Sequence, residues 1–167
     1  MPELFNDLRD FLRHVEGQGD LKRVEGADWQ TEIGLITEWQ AMSEESPALV
    51  FDAIPGYPKG FRVATNLFTA HRRAASALGL PDRSSKLEQV NLWRERERHL
   101  TPIPPTKVAW GPILENTLKG DDVDLSIFPS PCWHKNDGGR YIGTRCMVIT
   151  RDPEEGWVNY ATARVQV

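Results

Sequence analysis

The stretch Tyr141-Ile-Gly-Thr-Arg-Cys-Met-Val-Ile-Thr150, then Asp152-Pro-Glu-Glu-Gly156, then Trp157-Val-Asn-Tyr-Ala-Thr-Ala-Arg-Val-Gln-Val167 decides how the fold is read. Both flanks are rich in β-branched and apolar residues, the composition that fits a pleated surface. The segment between them has the Asp, Pro and Gly of a turn, with Gly156 suited to the left-handed position. The flanks therefore read as an antiparallel β-hairpin. The second strand runs to Arg164-Val-Gln-Val167 with no cap or turn after it. A lone hairpin leaves backbone edges unpaired, so the reading expects a fragment, or a sheet completed by other polypeptide.

Upstream, Pro102, Pro104 and Pro105 form a stiff connector. They divide the chain into an N-terminal helix-and-strand unit, residues 1–101, and a β-rich segment, residues 102–167. In the first unit Leu4, Leu8, Phe11, Leu12 and Val15 recur at helical spacing, and Gly17 and Gly19 end the helix. Leu21 to Val24 reads as a short strand. A second helix is expected from Trp29 through Ile33 and Ile36 to Met42, with Asp28 as its N-cap. Ala48 to Ile54 reads as a buried strand, Pro55 to Gly60 as a turn, and Phe61 to Thr65 as the returning strand, with helices packed on one face. Further helices are expected over about 69–78 and from Ser85. There Ser85 and Glu88 have capping-box spacing, and the run Arg94-Glu-Arg-Glu-Arg98 reads as a solvated face. Val108 to Ile113 is read as another strand. The fold class is α+β.

Composition excludes several functions. The chain has 167 residues, 40% apolar and 26% charged, as in an ordinary globular protein. Lys and Arg number 20 against 24 Asp and Glu, a net charge of −4, which argues against nucleic-acid binding and against a polybasic membrane surface. No apolar run approaches the roughly 20 residues of a membrane span. The opening Met-Pro-Glu-Leu-Phe-Asn-Asp lacks the regions of a signal peptide. Two cysteines, Cys132 and Cys146, give no disulfide framework, so the expected location is the cytoplasm.

Chemistry is sparse when the residues are read unaided. His14, His71, His99 and His134 read as surface or helix-end residues. Cys132, His134 and Cys146 lack the ligand spacing of a structural zinc site. Dinucleotide, Walker and serine-hydrolase motifs are absent. In the terminal hairpin Asn159 and Arg164 stand among apolar neighbours. Arg164 keeps its charge and calls for an anionic partner, or it snorkels at a sheet edge. Asn159 offers an oxygen that suits a hard metal, or it simply sits near a turn.

The residues Leu8-Arg-Asp-Phe-Leu12, Gly19-Asp-Leu, Val24-Glu, Asp28-Trp29, Pro47-Ala-Leu-Val-Phe51 and Gly56-Tyr-Pro resemble the opening of the UbiD-family decarboxylases. Asp137-Gly-Gly-Arg-Tyr-Ile142, Thr144 and Trp157-Val-Asn-Tyr-Ala-Thr-Ala-Arg164 resemble the start of that family's flavin-binding domain. The resemblance implies a split barrel and a reversible, non-oxidative carboxy-lyase. Its cofactor would be prenylated FMN, supplied by a flavin prenyltransferase, and its substrate an aromatic or α,β-unsaturated carboxylic acid. It implies a homo-oligomer, dimer or hexamer. Asn159 matches the ligand of a divalent metal, usually manganese (Mn2+), that bridges to the cofactor phosphate. The backbone carbonyl of Tyr160 matches a potassium (K+) ligand of some members. Asn159, Tyr160, Ala161, Thr162, Ala163 and Arg164 match the stretch lining the flavin. Arg164 matches the arginine of a Glu-Arg-Glu catalytic network, and Thr144 a residue beside substrate and flavin. The family's other metal ligands, a His and a Glu, and its two catalytic glutamates would lie beyond residue 167.

That reading expects the 167-residue segment alone to be inactive. If Asn159 and Arg164, five residues apart, serve one site, either the backbone bulges between Tyr160 and Ala163 or the ligand wraps a strand edge. Two rivals stand beside it. One is a truncated, non-catalytic module that pairs with a longer chain and scaffolds assembly, and that need bind no flavin. The other is a small redox protein on a split barrel that binds unmodified FMN.

Overall fold

The computed structural model describes residues 5–167. Leu4, counted in the first helix, lies outside the described residues. The helix α1 (Leu8–Gly17) is started by Asp7, whose carboxylate accepts from the Asp10 N–H, and it buries Phe11 and Val15. After the turn at Gly19, strand β1 (Leu21–Glu25) leads to helix α2 (Glu32–Ala41). Strand β2 (Ala48–Asp52) then pairs parallel with β1, from Leu21 opposite Ala48 to Glu25 opposite Asp52. Strand β3 (Val63–Thr65) returns antiparallel to β2 and forms an edge.

Helices cover both faces of this sheet, a correction to the one-face expectation. Successive residues of β2 point to opposite sides. Leu49 and Phe51 pack with Ile33 of α2, together with Ala27 and Ile54. Ala48 packs with Phe11 and Val15 of α1. A central strand buried on both faces reads as a continuous apolar run, as Ala48-Leu-Val-Phe51 does.

The second helix begins later than its pattern predicts, at Glu32. Asp28 does not cap it; its carboxylate accepts from the Gln30 N–H at 2.6 Å, and its own N–H donates to the Glu32 carboxylate at 2.8 Å. Trp29 is thereby freed from the helix. Gly34 of α2 lies so close to Trp133 that a Cβ there would run into the Trp133 carbonyl oxygen.

Helix α3 (His71–Ala77) ends at Gly79, and helix α4 (Lys86–Arg98) starts with the expected capping box of Ser85 and Glu88. No residue of α4 is buried. Arg96 is nevertheless committed, donating to the Leu78 and Gly79 carbonyls at the end of α3. The strand expected over Val108 to Ile113 does not form. Pro112–Leu114 is a 3-10 turn, and Val108 and Ile113 are exposed with no strand beside them to pair with. Strands β4 (Tyr141–Arg151) and β5 (Val158–Gln166) form the expected antiparallel hairpin.

The hairpin turn is built as its residues dictate. The Asp152 carboxylate accepts from the N–H groups of Glu154 and Glu155, and the Gly156 N–H donates to the Asp152 carbonyl. Gly156 has φ +77°, with open space where a Cβ would stand. Only the backbone conformation therefore opposes a side chain, and Gly156→Val should cost about 1 kcal/mol or more in chemical denaturation.

Asp20 is held by Arg72 through Nε at 2.7 Å and by Arg73 through Nη1 at 2.9 Å. Burial pushes the Asp20 carboxyl up, while the Arg72 and Arg73 hydrogen bonds and charges together hold it below its ordinary value. A depressed pKa gives stability that is present above the unfolded value of about 3.9 and is lost as pH falls through the folded value. Asp20→Asn should therefore remove about 3 kcal/mol near neutrality, because Arg73 stays buried and unbalanced. It should also flatten the loss of stability below about pH 4, measured by urea unfolding across a pH series.

Candidate active site

The hairpin carries every residue singled out for chemistry. β5 pairs with β4 without a shift from Val158 to Ala163. Alternation therefore sets Asn159, Ala161 and Ala163 on one face and Tyr160, Thr162 and Arg164 on the other. β5 does not bulge between Tyr160 and Ala163, one of the two arrangements a shared site allows; the irregularity lies in the partner strand. Thr144 and Arg145 together stand opposite Arg164, and Ile142 is a second extra residue between Gly143 and Tyr141. Arg145 takes φ +59°, a left-handed conformation uncommon outside glycine. Gly143 precedes the bulge, and a Cβ there would collide with the Cys146 sulfur.

The structure thus brings Thr144, Arg145 and Arg164 together. The Arg164 guanidinium lies over the Tyr141 ring, 5.1 Å from its centroid. Asn159 stands opposite Thr150, about 16 Å along the strand from Arg164 at ~3.3 Å per residue. It is exposed, and its side chain makes no hydrogen bond among the described residues. A ligand that touches both Asn159 and Arg164 has to pass around a strand edge.

Beside the bulge is a cleft of about 1030 Å³, bounded by the edge strand β3 and its flanks, by Phe128 to Pro131, and by Tyr141 to Arg145. The Ser130 hydroxyl and the Trp133 indole N–H, both buried and without hydrogen-bond partners among the described residues, belong to residues in its wall. Arg62 and Arg145 supply positive charge there. A smaller hollow of about 120 Å³ near His14 lies in the N-terminal unit, where Arg72 and Arg73 are already engaged by Asp20.

Among the described residues no group of three or more His, Cys, Asp or Glu is arranged to hold a metal. His134 lies 3.7 Å from both Glu38 and Asp137, and the Cys132 thiol faces the His134 carbonyl. In the sequence Arg140 and Tyr141 stand only as part of the Asp137 to Ile142 motif, with no role of their own, and Arg145 has none. The available signal was a charged residue wedged between Gly138-Gly139 and an apolar strand.

Comparison with known proteins gives this geometry its context. The model described as 3-octaprenyl-4-hydroxybenzoate carboxy-lyase N-terminal domain matches residues 12–93, and that enzyme's Rift-related domain model matches residues 106–167. The pyrrole-2-carboxylic acid decarboxylase of Pseudomonas aeruginosa is 35% identical over 171 residues, covering 96% of this chain and 34% of that protein. Ferulic acid decarboxylase 1 of Saccharomyces cerevisiae is 29% identical, with 96% and 34% covered. Among solved structures, the vanillic acid decarboxylase of Sedimentibacter hydroxybenzoicus in its closed form superposes with a TM-score of 0.86 at 31% identity, covering 99% of this chain and 36% of that one. The chain spans about a third of the length of the curated relatives it matches. Two models of one family flanking the Pro-rich connector, and relatives matched along nearly the whole chain, establish that it belongs to the UbiD family.

Proposed function

We propose that this chain forms part of the active site of a carboxy-lyase that decarboxylates aromatic or α,β-unsaturated carboxylic acids, reversibly and without net oxidation, with prenylated FMN as cofactor. The observation that carries the proposal is Arg164 laid over Tyr141, opposite the Thr144–Arg145 bulge and next to a cleft of ligand size. The relatives named as decarboxylases of pyrrole-2-carboxylic, ferulic and vanillic acids support the substrate class.

The roles follow from the chemistry of the side chains. A guanidinium is a planar fork of N–H donors, so Arg164 orients a substrate carboxylate by paired hydrogen bonds and is not the proton donor. Thr144 borders the same cleft. Ala161 and Ala163 are small, which lets a flat ring approach the Asn159 face of the strand; Arg164 lies on the other face, so flavin and substrate would meet around the strand edge. Bound there, the flavin would supply the electron sink for the carbon that loses CO2.

The donor set near Asn159 fits one ligand of a hard metal such as Mn2+ and not a whole site, since such ions take about six oxygens. The remaining ligands, like those completing a K+ site at the Tyr160 carbonyl, would come from polypeptide outside this segment. So would the acid that protonates the product. In this proposal β4 and β5 are the opening strands of a split barrel, residues 102–167, that follows a domain of residues 1–101. The complete protein is a homo-oligomer.

The test is expression of a full-length chain with and without flavin prenyltransferase. The co-expressed protein should absorb in the near ultraviolet and visible and release CO2, whereas the isolated 167-residue segment should be colourless and inactive. Arg164→Ala should cut turnover by at least about 100-fold while flavin absorbance per chain is retained. Asn159→Ala should instead lower metal and flavin content. A full-length protein that binds no flavin would favour the scaffold reading. Bound unmodified FMN with NAD(P)H oxidation and no CO2 release would favour the redox reading.

A further inference from the structure

We infer that Arg140 is a positioning residue, the joint through which the N-terminal unit fixes the base of the β4–β5 hairpin and with it Tyr141, Thr144 and Arg164. The joint rests on geometry alone; its catalytic consequence rests on the function proposed above.

Arg140 immediately precedes β4, and its side chain reaches three separate segments. Nε donates to the Ser130 carbonyl at 2.9 Å. Nη2 donates to the Phe128 carbonyl at 2.8 Å and to the Tyr57 hydroxyl. Its Cζ stands 4.1 Å from the centroid of the Trp29 ring and 5.7 Å from that of Tyr57. Both Trp29 and Tyr57 pack against the core around Leu49 and Phe51. The Trp29 carbonyl in turn accepts from the Cys132 N–H at 3.0 Å, closing the loop back on itself.

The backbone of the same residue gathers both ends of the hairpin. The Arg140 carbonyl accepts from the Val167 N–H at 2.9 Å, at the end of β5. The next N–H, that of Tyr141, donates to the Pro131 carbonyl at 2.9 Å, at the start of β4. Tyr141 carries the Arg164 guanidinium on its ring. A shift of Arg140 therefore reaches Arg164 through a single intervening side chain.

The chemistry of the contact set is that of a geometric device. No carboxylate pairs with Arg140 among the described residues; its acceptors are two carbonyls and a phenol. A planar fork with five donors satisfies three acceptors while stacking on an aromatic face, which an ammonium on a flexible stem cannot do. The cation–π contact adds attraction at the partly desolvated site.

The experiment uses the full-length protein and the variants Arg140→Met, Arg140→Lys and Tyr57→Phe. Hydrogen exchange reads the joint without reference to flavin. The Tyr141 and Val167 amides should exchange at least about tenfold faster in Arg140→Met, with a smaller increase in Tyr57→Phe. Adding Tyr57→Phe to Arg140→Met should change little further, since the shared bond is already gone. Unchanged protection in the folded variants overturns the joint. If Arg140→Met fails to fold, Arg140→Lys and Tyr57→Phe carry the same reading. For the consequence, Arg140→Met should keep its flavin, change the circular dichroism of the bound flavin, and lose at least about tenfold in kcat, with Arg140→Lys between it and wild type. Unaltered kcat and flavin dichroism overturn the positioning role. A wild-type protein without flavin or turnover overturns the proposed function and leaves the exchange result to judge the joint.

Discussion

Arg73 is 2% exposed and carries a full positive charge into the N-terminal unit. Its guanidinium meets the Asp20 carboxylate and the carbonyls of Ser46, Asn66 and Leu67. These groups come from the turn before β1, the turn before β2 and the loop between β3 and α3. The Asp20 carbonyl also accepts from the Ala48 N–H, which starts the parallel register of β1 against β2. A buried charge tolerates only arrangements that keep its partners in place. One ion group thus ties the turns before β1 and β2 to the loop that leads into α3, and the apolar core packs around the same strands.

A second arginine plays the corresponding part between the two units. Arg140 is surrounded by neutral acceptors and aromatic rings, so its attraction is weaker and more directional than that at Arg73. Together with the close approach of Gly34 to Trp133, it holds the loop 128–140 against α2 and the β2–β3 turn. The hairpin beyond is otherwise exposed along most of its length. Its position therefore depends on contacts at its base.

At that base the extra residues of β4 do the shaping. A bulge bends its strand and re-aims the neighbouring side chains. Here it sets Thr144 and Arg145, which line the cleft, opposite Arg164 on the neighbouring strand. A non-glycine residue held at positive φ is a local cost that the surrounding ladder maintains. Such a cost located beside the proposed substrate arginine agrees with a site shaped for binding.

Local signals in the sequence determined the hairpin, through Asp152 and Gly156, the start of α4, through Ser85 and Glu88, and the buried run of β2. Each of these depends on residues a few positions apart, which the chain carries in order. The family was likewise legible, from the Asp137-Gly-Gly-Arg-Tyr-Ile142 and Trp157 to Arg164 motifs, although the physics of Asn159 and Arg164 alone left bland alternatives open. Tertiary structure alone decided that α1 and α2 cover opposite faces, that Asp28 forms a turn instead of a cap, and that Val108 to Ile113 finds no strand to join. It alone decided that the bulge lies in β4 and that Arg140 gathers Trp29, Tyr57 and Ser130. In each case the deciding partner is distant in sequence, and a pairing or burial that depends on it leaves no periodic trace along the chain.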